Sequence, residues 1–207
     1  MILRRLHGLS AVLIAAFACL HIANHLVGLS GAAQHIAFME SARSVYRFPA
    51  VELALLSCVA LQIVSGLTFV VRSWQQRNGL VPWLQAGSGA YLSFFLIIHV
   101  GAVLFGRGVL NLNTNFYFAA AGLHVAPFQF FFAPYYFLAV VALFTHLGCA
   151  GYWHVRGRPR VAGALVIVLP CAIGAVASLL IVLSLAGALF PVEVPAQYKA
   201  SYAPSNR

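Results

Sequence analysis

Residues 6–29 read LHGLSAVLIAAFACLHIANHLVGL, and this run decides the fold. It holds no Lys, Arg, Asp or Glu, and it exceeds the roughly 20 apolar residues with which a helix crosses a bilayer. Of its three histidines, His7 lies at the start, while His21 and His25 sit deep inside it one helical turn apart, on one face. Similar runs follow at about 50–71, 86–105, 131–153 and 162–190, the last with Pro170 as an expected kink. Arginines mark the gaps between runs. The sequence therefore predicts an all-α integral membrane bundle of five transmembrane helices in a single domain, residues 1–190. A short polar tail, 191–207, completes the reading. The first run is too long for a signal peptide, and no small-residue cleavage site follows it.

Composition points the same way. The chain has 207 residues, of which 62% are hydrophobic and 7% charged. Soluble domains carry about 25% charged residues, so too few are present here to cover an apolar core in water. Twelve Lys and Arg against three acids, Glu40, Glu52 and Glu193, give a net charge of +9. The basic residues lie in loops and termini, a pattern suited to lipid headgroups and not to nucleic acid. Side A, with the N-terminus and the second and fourth loops, holds Arg4, Arg5, Arg72, Arg77, Arg156, Arg158 and Arg160. Side B holds Arg43, Arg47, Arg107, Lys199 and Arg207. The positive-inside rule puts side A and the N-terminus in the cytoplasm and the C-terminus on the opposite side, as expected of a bacterial inner-membrane protein. Cys19, Cys58, Cys149 and Cys171 all fall within helices and read as small packing residues.

The bundle carries an internal repeat. Leu9, Ser10, Phe17, Leu20, His21, Leu26 and Gly28 of the first helix recur 78 residues later as Gly87, Ser88, Phe95, Ile98, His99, Leu104 and Gly106. Pro49, Leu53, Ala54 and Gly66 of the second helix recur 85 residues later as Pro134, Leu138, Ala139 and Gly151. The architecture is then two repeated helix pairs plus a fifth helix. In this register His146 falls opposite Leu61, or opposite Gln62 after a slip of one.

The repeat places His21 and His99 at one depth on two parallel helices, about 18 Å from side A at 1.5 Å per residue. An ionisable side chain inside the membrane is a functional candidate, with interhelical hydrogen bonding as the competing reading. For His21 and His99 the matched depth favours an axial ligand pair for one haem iron. Zinc would want a third or fourth close ligand, and no Cys or carboxylate sits at that depth with the right spacing. His25 reads as an alternative ligand, a hydrogen-bond donor to a haem propionate, or polar packing. His146 reads as a second ligand, a quinone contact or packing. His7 and His154 fall beside arginines at the side A interface, where headgroup contact is the default. His35 belongs to the first loop. His124 belongs to the aromatic stretch 107–130, which is expected to lie on side B as an amphipathic or re-entrant lid.

Five helices with Ser10-Ala11 and Ser88-Gly89 about ten residues before His21 and His99 resemble the cytochrome b membrane-anchor subunits of succinate dehydrogenase and fumarate reductase. That resemblance implies a b-type haem protein, an electron-transfer or anchor subunit that exchanges electrons with a membrane quinone. It implies haem b as cofactor, and a flavin or iron–sulfur partner subunit. In two-haem members, histidines come from the first, second, fourth and fifth helices. The matching helices here are one to four, where His21 and His99 match one pair and His146 half of the other. The helix-two histidine is missing, so one haem is expected. Leu84 to Gly89, Leu-Gln-Ala-Gly-Ser-Gly, also resembles the membrane domain of a fungal mitochondrial adaptor linked to lipid homeostasis. That likeness implies the alternative, a non-redox adaptor or scaffold with structural histidines. No GxGxxG, P-loop or CxxC motif is present, so no catalytic activity is expected of the chain alone. Absence of CxxCH implies haem held without a covalent bond. No helix interior carries a carboxylate for ion coupling, which disfavours a transporter. Glu52, at the start of the second helix, is expected to pair with Arg43 or Arg47.

Overall fold

Every apolar run becomes one helix in the computed structural model, which describes residues 1–202. The chain is 82% helical, with no strand among the described residues. The membrane helices are α1 (Ile2–Val27), α3 (Pro49–Arg72), α4 (Leu80–Gly108), α6 (Gln129–Val155) and α7 (Arg160–Leu185). Three shorter helices, α2 (Ala32–Tyr46), α5 (Phe116–Ala121) and α8 (Ala196–Lys199), lie at the side B end. The five long helices have apolar windows with mean hydropathy between 1.7 and 2.8. Only 6% to 22% of each window is buried within the protein, so their outer faces require lipid as solvent. This is an integral membrane protein in a bilayer.

The helices form a ring in chain order: α1 packs on α3, α3 on α4, α4 on α6, α6 on α7, and α7 returns to α1. The α7 return is sealed by Ser184, whose hydroxyl donates to the Gly28 carbonyl at 3.1 Å. The tightest seam is α6–α7. A Cβ added at Gly148 would stand 2.9 Å from the Val166 carbonyl oxygen and 3.1 Å from the Ile167 Cα. Small residues let helix backbones approach this closely, and in lipid such packing replaces the hydrophobic drive. α7 runs through Pro170 to Leu185, and the 162–190 run ends early because the chain turns at Ala186 and Gly187 (φ 75°).

The repeat is visible in the hydrogen bonds. On α1 the Ser10 hydroxyl donates to Leu6 O at 2.8 Å, and Gln62 Nε2 of α3 donates to His7 O and Ser10 Oγ at 2.7 Å each. On α4 the Ser88 hydroxyl donates to Leu84 O at 2.7 Å. His146 Nδ1 of α6 donates to Gln85 O at 3.1 Å, with Ser88 Oγ at 3.2 Å. Likewise Phe69 meets His7, while Trp153 Nε1 donates to Gln85 Oε1 at 2.7 Å. His146 thus corresponds to Gln62 and not to Leu61. The prolines that open the second and fourth runs are one residue further apart than the side chains that do the bonding.

Side B differs from the sequence reading. The first loop is helical: Gly31 (φ 121°) turns the chain into α2, which lies against the end of α1. The stretch 107–130 is no surface lid. Phe116, Ala120 and Ala121 of α5 are buried with Ile181 and Leu185 of α7 and with Val194 and Tyr198 of the tail. Its aromatic residues and small alanines fill the end of the bundle, and residues 191–202 close over them. The polar tail therefore contributes core; residues 203–207 lie outside the described residues. Arg43 of α2 is buried and anchors the loop that leads into α5, donating to Asn113 Oδ1 at 2.8 Å and Thr114 O at 3.0 Å. It also pairs with Glu40 at 2.7 Å. Glu52 pairs with Arg107 at 2.5 Å instead of with Arg43 or Arg47, because those two arginines turn towards Glu40 and Thr114.

Candidate functional site

His21 of α1 and His99 of α4 face each other across the bundle with ring centroids 5.9 Å apart. Each is braced by the phenylalanine one turn earlier. Phe17 stacks on His21 and Phe95 on His99, both at 15° between planes, with centroids 5.8 Å and 4.9 Å apart. The matched braces are the repeat written in side chains. Their backbones do not pack as a neighbouring pair, since α3 lies between them on one side of the ring and α6 and α7 close the other. The two imidazoles bridge that space. Neither ring, nor that of His25, has a hydrogen-bond partner among the described residues.

Two more histidines extend the pair towards side B. His25 lies 4.8 Å from His21, ring to ring, and His35 of α2 lies 5.0 Å from His25. His35 is buried, seated against Gly28 and edge-on to Phe116 at 5.3 Å. Asn24 donates from Nδ2 to His35 Nε2 at 3.1 Å. His35 was legible in the sequence only as a loop residue. The signal that would have found it is the Gly31 turn, which folds α2 back onto the turn of α1 that bears Asn24 and His25.

The other histidines are engaged elsewhere. His146 ties α6 to α4 through Gln85 O, in the side A half. His7 leaves the headgroup zone: Ser65 spends its own hydroxyl proton on Leu61 O, so His7 Nδ1 donates to Ser65 Oγ at 2.7 Å. His124 donates from Nε2 to Leu185 O at 2.9 Å and caps the end of α7. His154 is exposed on side A. All four cysteines are free, and Cys149 is fully buried.

His35 carries a pH signature. Burial, and then the charges of His21 and Arg43, push its pKa from 6.5 down to about 4. Between those values the unfolded chain binds a proton that the folded chain refuses, so the folded state loses stability as pH falls from 6.5 towards 4. The expected loss is on the order of 3 kcal/mol at the acid end. Thermal unfolding in detergent should show it, and the His35→Gln protein should show a flatter profile across the same window.

Among the described residues, no group of three or more His, Cys, Asp or Glu side chains is arranged to hold a metal ion unaided. A groove of about 390 Å³ opens to lipid between α4 and α6, lined by Trp83, Ser88, Tyr91, Leu138 and Thr145 among others. Comparison with known proteins finds no matching family model, no matching curated protein and no matching solved structure.

Proposed function

We propose that the chain is a b-type haem-binding membrane protein, an electron-transfer or anchor subunit of the kind found with succinate dehydrogenase and fumarate reductase. The observation that carries this reading is the His21–His99 pair. Two imidazoles that hold one metal ion between them, each bound at about 2.0–2.1 Å, have ring centroids roughly 6.4 Å apart. The pair's 5.9 Å lies a little inside that span, so a small outward shift of the rings would admit the iron. A haem iron takes four nitrogens from its porphyrin and needs only two from protein, so the absence of a three-residue cluster is no obstacle. Two unbonded imidazoles between helices that do not pack together also suit a flat cofactor. When bound, the haem would supply one-electron chemistry. His21 and His99 would hold the iron, and His25 would offer a hydrogen bond beside it. The apolar α4–α6 groove, with Ser88, Tyr91 and Thr145 on its walls, supports a membrane quinone as electron partner. A flavin or iron–sulfur subunit would supply the soluble redox chemistry.

Absorption spectra of the purified protein, oxidised and then dithionite-reduced, test the reading after expression with added haem precursor. One haem per chain with sharp reduced bands is expected. Protein that stays colourless overturns it and favours the non-redox adaptor. His146→Ala should leave those bands intact and lower thermal stability by roughly 0.6–1.7 kcal/mol, the range for an interhelical hydrogen bond in a membrane. Loss of one of two haems in that variant would overturn the single-haem assignment.

The seven-to-five excess of basic residues on side A supports a cytoplasmic N-terminus in a bacterial inner membrane. A C-terminal reporter that works only in the cytoplasm should be silent. Strong activity would reverse the orientation.

A further inference from the structure

The two halves of the repeat are not alike around their histidines. Where α1 carries Asn24 and His25, α4 carries Ala102 and Val103 at the equivalent positions. Asn24 is 5% exposed and His35 is 3% exposed. Because Asn24 turns its Nδ2 to His35, its Oδ1 points the other way, where it is buried and meets no donor. Asn24 also lines a small cavity between α1 and α2 of about 10 Å³, together with Phe17, His21, Met39 and Tyr46 among others. That is about the room one water molecule needs, and such a water wants two to four polar partners. His21, Asn24 and Tyr46, three residues with polar atoms, are among those that line it.

We infer that Asn24 is a positioning residue for His21, accepting through a single water in this cavity the hydrogen bond of the His21 ring nitrogen that does not face α4. His35 holds Asn24 in the orientation this requires. An imidazole that ligates a metal donates its other N–H to such an acceptor, which fixes the tautomer and raises the basicity of the ligand. Ala102 can do neither for His99, so the two ligands are chemically unequal although the repeat makes them geometric equals. The inference rests on the haem reading.

The test compares the haem midpoint potential of wild type, Asn24→Leu and Asn24→Asp, with haem content measured for each. Leu removes the acceptor and fills the cavity; His21 becomes a weaker base, the ferric state loses support, and the potential rises. Asp keeps the shape and strengthens the acceptor, so the potential falls. His35→Gln should shift it in the same direction as Leu, by less. Shifts of opposite sign in proteins that all retain haem are what a packing role would not produce. If Asn24→Leu fails to fold, a lowered potential in Asn24→Asp still supports the inference. Unmoved potentials in haem-loaded variants overturn it and leave the haem reading standing, whereas a wild type that binds no haem removes both.

Discussion

His21→Ala and His99→Ala should each abolish the reduced haem bands, while His7→Ala and His154→Ala retain them. With either imidazole removed, only one histidine of the pair would remain to hold the proposed iron. No neighbour can substitute on the α4 side: Gly101 and Val103 follow His99, and neither has a donor. On the α1 side His25 is 4.8 Å from His21, so His21→Ala offers a sharper comparison. If a weak spectrum survives there and disappears in the His21→Ala, His25→Ala double variant, His25 has taken over as ligand. His7 serves as the control because its ring is committed to Ser65 near side A. Full bands in both His21→Ala and His99→Ala would remove this pair from the cofactor.

The largest structural effect is expected at Gly148. Its missing side chain is what allows α6 to touch the Val166 and Ile167 backbone of α7, and backbone has no rotamer with which to yield. Gly148→Ala should destabilise by about 1–3 kcal/mol, the usual cost of overpacking, and Gly148→Leu by more, since the helices must separate along the seam. The folded yield in detergent and the midpoint of thermal aggregation measure both. Gly87→Ala is the comparison: a Cβ there meets nothing within 4 Å, and little change is expected. Equal behaviour of the two alanine variants would show that the α6–α7 contact is looser than its geometry.

The long apolar runs were readable because hydrophobic length is a local property: twenty residues without charge have few alternatives in any context. The repeat was readable for the same reason, since Ser10, Phe17 and His21 recur at one spacing. Four things were not. The α3/α6 register depended on which of Leu61 and Gln62 bonds to α1, and only the Ser10 and Ser88 hydroxyls decide that. His35 reads as a loop histidine because α2 has mixed polarity; it is packed against Gly28 and against Phe116, a residue 81 positions on and unconnected by any local pattern. Residues 107–130 looked like a surface lid because their apolar residues are interrupted. Those interruptions are the turns that let Phe116 and Ala120 drop into the space between α2, α7 and the tail. Glu52 lies nearest Arg43 and Arg47 in sequence, yet Arg107 pairs with it from α4, a contact that no local pattern encodes.

The closing of the ring by α7 on α1 sets an order of events during synthesis. His21 leaves the ribosome long before His99, and at about 5–20 residues per second the second ring follows several seconds later. For that interval α1 and α3 are in the bilayer as a half-bundle whose histidines have nothing opposite them. Gly28 waits longer still, until Ser184 has been made. A nascent chain halted after α4 would already carry both imidazoles but lack the α6–α7 clamp and the α5 plug. The space between His21 and His99 would then be open to lipid on the side where the last two helices belong. The haem proposed above would have its widest way in during that window, before the final helix closes the ring.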